Sequence, residues 1–163
     1  MPEQQTFHID KITNSIEDAA GKSFDTSVVR VCKEDLKVVL KKNGWLFNWK
    51  KEYNLAERKV YKLTIENENA IQGLISIETM SGYIEMHLVE NAPHNYGINK
   101  HFAGVAGNLV AFACKESFEN GFDGYVAFTS KTKLVEHYIN TLGAQLIYGR
   151  ERMGIFTKAA ENL

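Results

Sequence analysis

The 163-residue chain balances 19 Lys and Arg against 20 Asp and Glu, for a formal charge of −1, with 44% hydrophobic and 24% charged residues. This near-neutrality argues against broad nucleic-acid binding, which calls for a basic excess. The sequence has no apolar run of about 18 residues to span a membrane, and its length suits one globular domain with a substantial core.

The opening "MPEQQTFHIDK" lacks the basic start and apolar centre of a secretion signal. A cytoplasmic protein is therefore expected, with Cys32 and Cys114 as reduced, buried thiols. Residues 1–27 are mostly polar and are expected to form an arm or cap on a single domain spanning 28–163. "VVRV" from Val28 reads as a short strand. "KEDLKVVLKKNG" then places Leu36, Val39 and Leu40 on one helical face, with Asn43-Gly44 as the stop. The aromatics Trp45, Phe47, Trp49 and Tyr53 are expected in local core, and Lys41, Lys42, Lys50 and Lys51 on a solvated face.

"KVYKLTIE" alternates Tyr61, Leu63 and Ile65 against Lys62 and Thr64, the period of a strand. "AIQGLISIE" follows a turn and completes a hairpin. "GYIEMHLVE" is a third strand, with Tyr83, Glu85, His87 and Val89 on one face and Ile84, Met86 and Leu88 on the other. A loop leads to a helix from about Gly104 to Glu119, apolar nearly all round in its first half. A short strand "GYVAFTS", a helix "KTKLVEHYINTLG" and a hairpin around Gly149-Arg150 close the chain. In the second helix Leu134, Val135, Tyr138, Ile139 and Leu142 share one side. The order implies an α/β fold with a mixed sheet.

The helix entrance "HFAGVAGNL" sets Gly104, Ala106 and Gly107 close together. Small residues there suit either tight helix–sheet packing or the approach of a phosphate to the unpaired N–H groups of the first turn. There is no Gly-x-x-x-x-Gly-Lys-Ser/Thr loop. The acidic residue that a dinucleotide fingerprint wants at the end of the next strand is also missing, because Ala127-Phe128-Thr129 stands there.

The strand "YIEMHLVEN", the small-residue turn, the helix, the strand "YVAFTS" and the helix ending "EHYINTLGAQ" resemble the acetyl-CoA-binding core of the GNAT N-acetyltransferases over roughly residues 28–157. The family's Arg/Gln-x-x-Gly-x-Gly/Ala turn corresponds to His101-Phe102-Ala103-Gly104-Val105-Ala106, with His101 in place of the leading residue. The resemblance implies a GNAT-like mixed, largely antiparallel central sheet flanked by helices. It implies backbone N–H groups from Phe102 through Ala103, Gly104, Val105, Ala106 and Gly107 to Asn108 around the coenzyme A pyrophosphate. It also implies a bulged strand that splays from the next one, with Leu88, Val89, Glu90 and Asn91 along the pantetheine arm.

Acetyl transfer needs a base for the amine and an acid for the leaving thiolate. The resemblance makes Glu85 the first choice of base. His87, two residues on and on the same strand face, is the second, and Glu90 the third. Tyr138 is the candidate acid, although it stands five residues before Gly143 where the family has four. The expected function is an acetyl-CoA-dependent N-acetyltransferase acting on a small-molecule or peptide amine. Acetyl-CoA would be co-substrate, with no metal and no membrane partner; nucleic acid is disfavoured and a homodimer is left open. The alternative is a catalytically inactive acyl-CoA-binding or interaction module on the same fold. An RNA-associated protein using the lysines near Trp45 and Trp49 ranks third.

Overall fold

A computed structural model describes Gln4, residues 7–10 and residues 15–163. The elements in chain order are β1 (Ser15–Asp18), β2 (Ser23–Arg30), α1 (Trp49–Asn54), β3 (Lys59–Ile65), β4 (Gly73–Thr79), β5 (Ile84–Asn91), β6 (Phe102–Ala103), α2 (Val105–Glu119), β7 (Val126–Thr129), α3 (Val135–Leu142), β8 (Gln145–Tyr148), β9 (Arg152–Ile155) and α4 (Thr157–Glu161). Among the described residues nine strands form one sheet in the order β6-β1-β2-β3-β4-β5-β7-β9-β8. Of these nine strands, only β5 and β7 pair in parallel. The sheet is thus mixed and largely antiparallel, as expected. The boundary at residues 27 and 28 falls inside β2, so part of the polar N-terminal stretch is sheet.

Strand alternation divides the core into two layers. Leu63, Ile65, Ile75 and Ile77 meet the layer of α2 and α3. Val60, Leu74 and Leu88 meet Trp45, Trp49, Leu36 and Val39 on the opposite face. The aromatics of residues 45–49 are therefore core residues, while Lys41, Lys42, Lys50 and Lys51 are exposed.

The helix expected over residues 33–44 is replaced by two 3-10 turns, Lys33–Lys37 and Lys41–Asn43. Its end groups are claimed by side chains. The Asp35 carboxylate accepts from Cys32 N at 2.8 Å and pairs with Lys62 Nζ at 2.8 Å. Asn43 Nδ2 donates to Val38 O at 2.9 Å, and the two β-branched residues Val38 and Val39 disfavour a longer helix. Cys32 is consequently exposed, against expectation. Cys114 is buried, and that burial raises its thiol pKa to about 12.

β5 carries a bulge. Ile77 pairs with Met86 and Ser76 with Leu88, which leaves His87 as the extra residue. One inserted residue reverses the facing of everything beyond it. Val89 turns into the α2 layer, while Leu88 and Glu90 turn toward the tryptophans. The unbroken alternation read from the sequence therefore fails past His87.

Helix α2 lies hard on the sheet at Gly73. A Cβ built there would stand 2.6 Å from Val105 Cγ1 and 3.0 Å from Leu109 Cδ1. The close approach is thus supplied by a strand glycine as well as by the small residues of the helix. Gly73→Ala is expected to overpack this contact and to lose about 1–3 kcal/mol, measured as a lowered urea midpoint at unchanged slope. In α3, Leu134 just before it, Tyr138 and Leu142 are buried, but Ile139 is exposed rather than facing inward. No helix among the described residues is long and apolar enough to cross a membrane.

Candidate active site

The parallel pair β5–β7 is registered at Ile84–Val126 and Glu85–Ala127. Beyond that point β5 continues to Asn91 and β7 to Thr129, and the strands part. The gap opens at their C-terminal ends, where open α/β sheets commonly receive ligands. Asn91 stands in its wall, 8% exposed, and its Oδ1 has no hydrogen-bond partner among the described residues. A buried acceptor left unpaired costs about 1–3 kcal/mol.

The remaining residues expected along the coenzyme are spread over several surroundings. Leu88 and Val89 bury their side chains in opposite core layers. Glu90 is wholly buried; its carboxylate accepts from Leu46 N at 2.6 Å, Phe47 N at 3.3 Å and Trp49 Nε1 at 2.7 Å. It ties the segment before α1 to the sheet, with its side chain directed away from the α2 side of the gap. Burial raises its pKa, and the three N–H bonds only partly offset this.

At the turn, His101 is exposed with its ring 5.1 Å from that of His94. Phe102 N donates to Asn95 Oδ1 at 3.1 Å, and Phe102 and Ala103 pair with β1 as β6. Gly104 caps α2 in the left-handed region (φ 94°), and its N–H donates to Asp10 Oδ1 at 2.9 Å. Val105, Ala106 and Gly107 begin the helix and are buried. Asn108 Nδ2 reaches Gly104 O at 2.7 Å and Ser15 O at 3.1 Å.

The three candidate catalytic residues are not gathered in one cluster. Glu85 and His87 sit on the sheet face away from α2. Glu85 is 7% exposed and forms a two-pronged pair with Arg152, whose Nη1 donates to Oε2 at 2.7 Å and whose Nη2 donates to Oε1. That hydrogen bond, above all, raises the guanidinium pKa. His87 Nε2 lies 2.8 Å from Glu78 Oε1. Tyr138 is fully buried on the other face, packed between Phe7 and Phe128 at centroid distances of 4.8 and 5.4 Å. Its O–H donates to Phe7 O at 2.5 Å, and burial pushes its pKa up.

Arg152, Glu78, Asn95, Phe7 and Asp10 were not anticipated as site residues. The pairs Arg152–Glu85 and Asp10–Gly104 span 67 and 94 residues, and no local pattern marks such a meeting. A second cleft, of about 560 Å³, opens on the face that carries Glu85 and is lined by Tyr83, Tyr125, Ile147, Tyr148, Phe156 and Arg152 among others.

A bulged strand, a parallel neighbour that parts from it, and a glycine turn leading into the covering helix together give the chain a GNAT-like fold. Among solved structures the chain is similar to an IAA acetyltransferase from Bacillus cereus, at 13% identity over 80% of this chain and 97% of that one, with a TM-score of 0.54. It is similar to the ribosomal-protein-S18-alanine N-acetyltransferase of Escherichia coli at 12% identity, covering 80% and 92%, TM-score 0.57. It is also similar to a spermidine N-acetyltransferase of Vibrio cholerae in complex with CoA and spermine, at 15% identity, covering 83% and 98%, TM-score 0.56. No protein-family model and no curated protein matches the sequence.

Proposed function

We propose that the chain is an acetyl-CoA-dependent N-acetyltransferase, with residues 28–163 as the transferase domain and the preceding residues as its arm. The observation that carries this reading is the parting of β5 from β7 beside Asn91, whose buried Oδ1 has no partner among the described residues. That acceptor suits an amide N–H of a pantetheine arm, and the first turn of α2 suits its pyrophosphate. Acetyl-CoA would supply an activated acetyl thioester. Glu85 or His87 would take the proton that the amine sheds, and Tyr138 O–H would return one to the departing thiolate. His87 is the better base of the two, because the Glu85 carboxylate is already engaged on both oxygens by Arg152.

For the acceptor, the aromatic cleft is the favoured entrance. Its described lining holds Arg152 and no acidic side chain, which suits an amine carrying an apolar or aromatic group better than a polycation. A second reading, an acyl-CoA-binding module without turnover, draws on the same engaged groups: Glu85 held by Arg152 and the Tyr138 hydroxyl held by Phe7 O.

Calorimetric titration with acetyl-CoA followed by a thiol-release assay over an amine panel separates them. Binding with release of free thiol is expected, faster with phenethylamine-like amines and apolar peptide N-termini than with spermidine. Binding without thiol release on any amine leaves only the second reading. No binding at millimolar acetyl-CoA, by this chain or by its Asp10→Ala variant, sinks both.

A further inference from the structure

Residues 7–10 lie along the cleft to which the coenzyme is assigned above, and their chemistry follows the same order. The apolar end comes first. Phe7 is 1% exposed, 6.4 Å from the Phe128 ring on β7, and its carbonyl accepts from Tyr138 O–H. Ile9, 7% exposed, donates its N–H to His137 Nε2 on α3 at 2.8 Å. The charged end follows. Asp10 sets one carboxylate oxygen on Gly104 N at 2.9 Å and the other on Lys100 Nζ at 2.7 Å. A peptide thus presents an apolar run to the parted strands and an anion to the entrance of α2, where a pantetheine and a pyrophosphate would present theirs.

We propose that this segment is an autoinhibitory strap, a built-in competitor of coenzyme A that must leave the cleft before the coenzyme enters. The proposal rests on the reading of the cleft as a coenzyme A site. Two features make the strap displaceable. It does not satisfy the cleft, since with the strap in place Asn91 Oδ1 has no partner among the described residues. It also leaves a foothold beside itself, a hollow of about 220 Å³ bounded by Asn91, Asn95, Tyr96, Lys100 and the strap's own His8 and Asp10. Its polar ties are few, and both charged groups of the outer one are partly exposed. Release of residues 7–10 would free Gly104 N–H, Lys100 and the Tyr138 hydroxyl together. These are an anion's two partners and the candidate proton donor, so opening would assemble the site as well as clear it.

The test uses the full-length chain, coenzyme A itself, and two variants: Asp10→Ala, and His137→Ala in case the first folds poorly. Affinity is read by calorimetry, and strap release by hydrogen exchange at the Ile9 amide. The expected result is that coenzyme A accelerates exchange at Ile9 in the wild type and that each variant binds at least about tenfold more tightly, because a smaller share of molecules is closed. Binding by the variants alone would carry the same conclusion. Equal affinity in all three proteins, with the Ile9 amide still protected in the complex, overturns the strap and leaves the coenzyme reading standing. No binding by any of the three at millimolar coenzyme A overturns the strap and the coenzyme reading together.

Discussion

Glu90→Ala is expected to remove about 2–3 kcal/mol of stability, because the buried Trp49 indole and two partly buried amides lose their acceptor, a buried donor left unpaired costing about 1–3 kcal/mol. Leu46 N, Phe47 N and the Trp49 indole converge on that one carboxylate. The wholly buried Trp49 is thereby fixed against Leu74 and Leu88. Denaturation midpoints of the wild type and the variant measure the loss, and near-equal midpoints would refute the tie. The difference also has a pH dependence with a definite sign. Burial raises the Glu90 pKa in the fold, so the native state binds this proton more tightly than the unfolded chain. The associated stability is fully present below the ordinary carboxyl value and is lost as pH rises through the raised one. The deficit of Glu90→Ala is therefore expected to be larger at pH 4 than at pH 7.

Tyr138→Phe is expected to separate binding from chemistry. If its hydroxyl protonates the leaving thiolate, turnover falls by about 10²–10⁴-fold. The same hydroxyl also donates to Phe7 O, so its loss weakens the closed arrangement, and affinity for coenzyme A is expected to hold or to rise. A steady-state assay beside a calorimetric titration reads the two quantities independently. Unchanged turnover would remove Tyr138 from the chemistry. A parallel fall in both would mark it as a packing residue, consistent with its rings on either side.

The parts of the fold legible in the sequence were those with a local period. Tyr61-Leu63-Ile65 alternates as β3 does, the apolar first half of α2 is buried, and Gly143 ends α3 in the left-handed region (φ 68°). What escaped was set by partners distant in the chain. β1 is the tetrapeptide Ser15–Asp18, polar but for the buried Ile16, and is held by pairing with β2 and with the two residues of β6. The bulge at His87 is one residue of register between β4 and β5 and leaves no trace in composition. Its effect is to redirect Glu90 from the gap to Trp49.

The candidate site divides in the same way. The glycine turn and the parting strands follow a recognisable order of elements. The partners of Glu85, Tyr138 and Gly104 do not, because Arg152, Phe7 and Asp10 reach them across the whole fold.

The pairing of β1 with β6 anchors the chain just after the strap, with Ser15 only five positions beyond Asp10. Such a tether gives the segment an effective concentration of about the millimolar range or above at its own cleft. Closure is therefore a unimolecular equilibrium, indifferent to how much protein is in solution. Dilution and dialysis leave it where it was, and any competing ligand meets the same handicap in a dilute assay as in a crowded compartment. The ratio of closed to open molecules is set by residues 7–10 and the few groups they touch, His137, Tyr138, Gly104 and Lys100 among them, which makes it adjustable one side chain at a time.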